Sequence, residues 1–595
     1  MIPFLKSDPP WLRDSLWTRA RMVPSLDLRM EDALLRDSVS GQRLITFTRV
    51  STGTYVGSDG LVKSAATNLL TWSEDASQWL DPPNLTVATN QTTAPDGAST
   101  ADRYLETSST SLHVQDGRAF VFVAGTVYTY SVFVKSINSR NYEIGFPGPV
   151  VFPDRFAKFN LSTGAVHSVD GAMTAGIQAL ANGWYRCWAT STCANDGGAR
   201  VGNFVNNESF ARSYAGNTSD GIFIWGAQLE QSSSVGEYIP TSATINSAPR
   251  ITHDPTTGRR PGLLLEEART NLLIWSEDAS QWLAAPYLTV TTNQTTAPDG
   301  ASTANRYLET ADTSLHGQQS SPAVFVTSTV YTYSVYVKSI NSRNFEIGFP
   351  PIFTDRFAKF NLSTGAVHSV DGAMTAGIQA LANGWFRCWK TSTCVSGAGA
   401  RVTNFVNDGL FSRNYAGNTS NGIFIWGAQL EEGSSPTSYI PTTDTAVTRA
   451  ADIATITSGL NTSRVRTLYA EFASPASGAR GIVSLNDNSA NNRFGLSTSG
   501  TDPLAVAVTG GVSQASIDAG TVTADQISKL AARFNADDFA ASFNGGAEVI
   551  DTSGTMPTVD RIMLGRSQAN EDLNGPITRL VGWDRPIYNL QELTR

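Results

Sequence analysis

Along most of this chain apolar and polar residues alternate with a period of two, and few windows show the three-to-four spacing of an amphipathic helix. Between positions 127 and 135, Tyr128, Tyr130, Val132 and Val134 share one face. Thr129, Ser131 and Lys135 take the other, with Phe133 as the exception. Such a run predicts a half-buried antiparallel strand. Positions 184–192 and 221–230 read the same way, and Pro95-Asp96-Gly97, Ser162-Thr163-Gly164 and Asn182-Gly183 supply turns between the runs. A helical apolar face is predicted only near the start, from Trp11, Leu12, Leu16, Trp17 and Met22.

The pattern occurs twice. Asn68 to Trp79 returns as Asn271 to Trp282 with one change, and Asp154 to Trp184 is identical to Asp355 to Trp385. Each copy spans about 170 residues, 68–241 and 271–442, which is domain-sized and so predicts a core of its own. Identity extending to surface positions points to a recent duplication. Several short strands per copy predict a two-sheet sandwich of jelly-roll type. Residues 443–595 follow a different pattern. Strand-like runs at 467–472, 481–485, 493–496, 504–508, 530–534 and 539–543 lead to a closing segment ending at Trp583, expected to pack the last strand into the core.

Both copies carry the frame N-L-L-x-W-S-E-D-x-S-x-W, then A-P-D-G-x-x-T-A, G-W-Y/F-R, G-A-Q-L-E and Y-I-P-T. This frame resembles a module of phage structural proteins whose fold is similar to the jelly rolls of carbohydrate-binding modules. The order of strands after 443, with its G-x-I-x-R-L…W-D-R ending, resembles a concanavalin A or laminin-G sandwich. The expected fold is therefore all-β: tandem antiparallel jelly-roll sandwiches plus a concanavalin A-like sandwich, with residues 1–67 as a short arm and 242–270 as a linker. The resemblance implies a virion fibre or spike, a homotrimer, with the arm attached to other virion proteins and modules displayed toward host surface glycans.

Charge narrows the partners. At 16% charged residues, net charge −9 and pI near 5.2, with no clustered Lys or Arg, nucleic acid is not expected. Arg259-Arg260 reads as a solvated turn. No apolar run is long enough for a membrane span, and the first residues lack the apolar stretch of a secretory signal. The four cysteines, Cys187 and Cys193 with their twins Cys388 and Cys394, are spaced too widely for a CxxC site. On one strand each pair would lie about 20 Å apart, so buried free thiols are expected.

No nucleophile elbow, phosphate loop or zinc spacing appears, and the chain is not expected to be an enzyme. His167 and His368 read as strand residues after a turn. Sugar recognition uses exposed aromatic rings. Among the tryptophans most are expected in the core; Trp188 and Trp389 are the candidates, since alternation sets them on the face opposite Tyr185 and its twin Phe386. The jelly-roll resemblance also implies a structural Ca2+, for which Glu74, Asp96 and Glu230, with Glu277, Asp299 and Glu431, are the candidate oxygen ligands. Loops that differ between the copies, 206–212 against 407–413 among them, are further candidates. A purely structural decoration, a glycan depolymerase and a bacterial adhesin are the alternatives.

Overall fold

In a computed structural model of the chain, residues 15–30, 35–254, 262–372, 375–475, 478–567 and 571–595 are described. Two compact units emerge, one formed by Arg49–Thr52 with Ala66–Ala248 and the other by the remainder. The chain is all-β; among the described residues α-helix is confined to Ser15–Ala20 and Leu590–Thr594, beside a few single 3-10 turns. No described helix is long and apolar enough to cross a membrane.

The first repeat is a sandwich of two antiparallel sheets. One has six strands in the order Thr174–Ala179, Tyr185–Thr192, Val127–Ile137, Gly221–Glu230, Ala101–Glu106 and Leu85–Thr92. The other has five, in the order Ala165–Val169, Phe156–Asn160, Asn141–Gly145, Gly202–Asn206 and Val114–Asp116. Alternation sends Tyr128, Tyr130, Val132 and Val134 inward against Tyr142, Ile144, Phe159 and Val205, all buried. Phe133, the exception in that run, turns to the outer face, where it packs with Trp184 and Trp225. Asn68 ties the ends of the repeat together: its amide donates to the Ala227 and Ile239 carbonyls at 3.0 and 2.9 Å. The second repeat copies this arrangement strand for strand, and Asn271 makes the same two bonds to Ala428 and Ile440. All four cysteines are buried and free, as the spacing implied.

The C-terminal sandwich draws on distant parts of the chain. Its larger sheet runs Arg250–Thr252, Gly262–Leu265, Gly575–Trp583, Thr467–Phe472, Ser528–Asn535, Asp538–Phe543 and Val549–Asp551, with Leu26–Arg29 also paired to Gly575–Trp583. The smaller sheet begins with Thr46–Thr48 beside Ile453–Ile456. This corrects two sequence expectations. Part of the stretch expected as an arm, residues 26–48 where they are described, is built into this sandwich, because Leu26, Leu28 and Phe47 are buried among Leu468, Phe472 and Ile577. The stretch expected as a linker supplies two strands, with Leu263 and Leu265 in the same core. Trp11, Leu12 and Arg259-Arg260 lie outside the described residues. Trp583 is fully buried, in a smaller cluster with Leu16, Tyr469, Leu590 and Leu593.

Candidate functional site

The outer face of the five-stranded sheet carries an arrangement found in both repeats. In Phe156–Asn160 the inward residues are Ala157 and Phe159, so Phe156 and Lys158 point outward. In Gly202–Asn206, Val205 is core and Phe204 points outward. The pairing sets Glu143 between Lys158 and Phe204, and Gly145 between Phe156 and Gly202. A Cβ on Gly145 would lie only 2.5 Å from the Phe204 ring and 3.0 Å from that of Phe156. Glycine therefore lets both rings lie close over the sheet.

Above these rings sits Arg212. Its guanidinium is 3.8 Å from the centre of the Phe156 ring and 5.5 Å from that of Phe204, while Arg155 approaches Phe156 at 4.5 Å. Arg212 also pairs with Glu143 at 2.6 Å, and the Asn206 amide donates to the other Glu143 oxygen at 2.8 Å. Glu143 is buried, which pushes its carboxyl above the usual range against the pull of Asn206 and Arg212. The Lys158 ammonium donates to the Phe210 carbonyl at 2.9 Å, and the Phe210 ring stacks on the exposed His167 at 3.6 Å. Phe210 has φ +59°, in the left-handed region. The result is a layered patch of rings and guanidinium with fixed donors and a carboxylate, partly open to solvent. What this surface offers to solvent is the Arg212 guanidinium, 29% exposed, and parts of the half-buried Phe156 and Phe204 rings.

Phe357, Phe405, Arg413, Glu346, Asn407, Lys359, Phe411 and His368 reproduce the patch in the second repeat, with the Arg413–Glu346 pair again at 2.6 Å. The loop beside it differs: Glu208-Ser209 faces Gly409-Leu410, and Leu410 is 85% exposed. Sequence reasoning singled out this loop but not the phenylalanines. The signal was available in the alternation, since Phe156 and Phe204 stand one position away from the core residues Ala157 and Val205.

Trp188 and Trp389 lie on the other sheet's outer face, half-buried. The Trp188 ring lies over Gly176 of the edge strand, so close that a Cβ there would meet it at 2.1 Å, and Trp389 covers Gly377 in the same way. Each leaves part of the indole open. Trp79, Trp184 and Trp225 are buried, whereas Trp72 is half-buried with φ +59°.

The proposed calcium ligands do not converge as a set. Glu74 accepts from the Tyr238 hydroxyl at 3.0 Å and feels the charge of Asp96, which caps the Ala98 amide at 2.9 Å. Glu230 is instead held by the Gly236 amide at 3.0 Å. In the second repeat Glu277 accepts from the Tyr439 hydroxyl and Asp299 caps Ala301, while Glu431 is bonded to Gln429 and Thr437. Among the described residues no three His, Cys, Asp or Glu side chains gather to hold a metal. Glu74 lines a small cleft of about 180 Å³ with Trp72, Asp75, Asn90 and Asp102. Burial pushes Glu74 up, and it pushes Asp102 up to about 6.

No family model and no curated protein matches the chain. Among solved structures, it is similar to the N-terminal CBM22-1–CBM22-2 tandem domain of Paenibacillus barcinonensis Xyn10C (9% identity, 62% of this chain, 98% of that one, TM-score 0.22). It is also similar to the CBM40 of the Ruminococcus gnavus IT-sialidase bound to α2,3-sialyllactose (13%, 22% and 80%, TM-score 0.19). A third is domains LG4-5 of the mouse laminin α1 chain (12%, 53% and 85%, TM-score 0.15). The fold assignment rests on the strand pairing itself.

Proposed function

We propose that the chain is a non-catalytic glycan-binding protein that adheres through its two repeats. The observation that carries this reading is the outward patch of Phe156, Phe204, Arg212 and Glu143, rebuilt as Phe357, Phe405, Arg413 and Glu346. The half-buried outward rings and the partly open Arg212 guanidinium suit a saccharide, whose apolar face packs against the exposed ring edges while its hydroxyls accept from Arg212. Two equal sites on one chain multiply a weak contact by avidity. Trp188 and Trp389 are proposed as a second, flatter contact on the opposite sheet. The tandem-module frame in the sequence supports placing the protein on a phage particle as a fibre or spike, assembled as a homotrimer.

Binding of the full chain to an array of bacterial glycans, with and without Ca2+, tests the reading. Specific binding is expected, reduced at least about tenfold by Phe156→Ala with Phe357→Ala and less by either alone. Absence of binding to every glycan would overturn it and leave a structural decoration. Release of reducing ends from a bound polysaccharide would make the protein a depolymerase.

A further inference from the structure

Each repeat is preceded by a hairpin, and both hairpins dock downstream of the repeat they introduce. Thr54–Val56 pairs with Val62–Ser64 ahead of the first repeat. This hairpin lies on the outer face of the six-stranded sheet of the second repeat. There Val62 is buried with Trp385, Trp426 and Tyr439. The Val62 amide donates to the Pro298 carbonyl at 2.8 Å, and the Thr54 hydroxyl donates to the Tyr439 carbonyl at 2.5 Å. Arg250 fixes the hairpin further, donating to the Thr54 carbonyl at 2.9 Å. The hairpin ahead of the second repeat, Arg250–Thr252 with Gly262–Leu265, enters the C-terminal sandwich instead. Leu265 stands as far before Asn271 as Val62 does before Asn68, so the two hairpins are counterparts.

The same face exists on the first repeat, built from Phe133, Trp184, Trp225 and Tyr238 with Ala94 and Ala101. Every described member of that cluster belongs to the repeat itself, whereas the twin cluster includes Val62 from the hairpin. Exposure differs where the hairpin would sit. Pro298, Leu381 and Tyr439 are buried, while Pro95, Leu180 and Tyr238 are only half-buried. The core of the face is nearly the same in sequence, with Phe133 for Tyr336 as a substitution within it. Both of these hairpins are committed elsewhere, so among the described residues the first face has a receptor's chemistry without a hairpin in its cluster.

We infer that the outer face around Trp184, Trp225 and Tyr238 of the first repeat receives a β-hairpin from another polypeptide. The incoming hairpin presents a buried aliphatic residue, a backbone N–H for the Pro95 carbonyl and a hydroxyl for the Tyr238 carbonyl. It docks as Thr54–Ser64 docks on the second repeat. The surface is thus an assembly contact, separate from the patch on the five-stranded sheet, and it stands whether or not that patch binds glycan.

The test uses the intact chain and a fluorescent cyclised peptide of residues 53–65, followed by anisotropy. The second face is already filled at high effective concentration by the chain's own hairpin, so one peptide per chain is expected. The half-exposed Leu180 offers a charge change that spares the core. Leu180→Asp is expected to weaken binding about tenfold or more, a size typical of a contact near the centre of an interface, with the thermal midpoint unchanged. A peptide carrying Val62→Asp is expected not to bind. Lack of saturable binding up to about 1 mM, or binding indifferent to Leu180→Asp, overturns the proposal.

Discussion

Asp102 and Asn305 occupy the same position in two nearly identical domains, and the difference has a consequence for stability. Asp102 is 2% exposed and accepts the Ala76 and Asn90 amides at 2.7 and 3.0 Å. Burial raises its carboxyl to about 6, above the unfolded value of 3.8. A group raised in the fold favours the folded state at low pH, and that contribution is lost as pH rises from 3.8 through 6. At neutral pH the charged Asp102 therefore costs the first repeat free energy. Asn305 avoids this cost, its amide donating to the Glu277 carbonyl at 2.8 Å. Asp102→Asn is expected to stabilise residues 66–248 by about 1–2 kcal/mol at pH 7, with the gain shrinking below about pH 5, as read by urea unfolding at both pH values. At this scale the sequence was only partly legible. Alternation located Trp188 on an outer face and could have located Phe156, but the spacing of Glu74, Asp96 and Glu230 carried no information on convergence. Glu230 binds its own loop at Gly236 and not the turn that holds Asp96.

Strands were the most legible elements, because a period of two declares both the element and its buried face. The strands at 127–137, 185–192 and 221–230 were visible in this way, and the duplication confirmed each reading in a second copy. Short strands whose partners lie far along the chain were not visible. Leu26–Arg29 is four residues long, and its partner Gly575–Trp583 comes near the other end. Glycines mark a different kind of constraint within these elements. Gly176 lies under the Trp188 ring on the edge strand, and a methyl group there would sit 2.1 Å from ring carbon. Gly176→Ala is expected to lift the indole off the sheet, red-shift its fluorescence and cost about 1–3 kcal/mol as an overpacking change. An unshifted spectrum with full stability would show that the ring does not rest on that strand.

Across the whole molecule, continuity in sequence and continuity in core part company. The first repeat is closed by its own Asn68 bonds and by the pairing of Thr67–Asn68 with Asn246–Ser247. Residues 49–248 are therefore expected to fold alone with a single cooperative transition. Residues 443–595 are expected not to, since they would lack Leu26, Leu28, Phe47, Leu263 and Leu265 from their core. Each missing side chain removes about 1.5–3 kcal/mol of burial, enough together to exceed the stability of most domains. Expression of both fragments, followed by circular dichroism and urea melts, checks the pair of outcomes. The link between Leu26–Arg29 and Gly575–Trp583 also sets a clock for biosynthesis. A ribosome moving at roughly 5–20 residues per second needs about half a minute to two minutes to deliver the partner strand. Throughout that interval the first apolar segment is on offer to anything that binds nascent chains, while the first repeat has already emerged and closed around its own core.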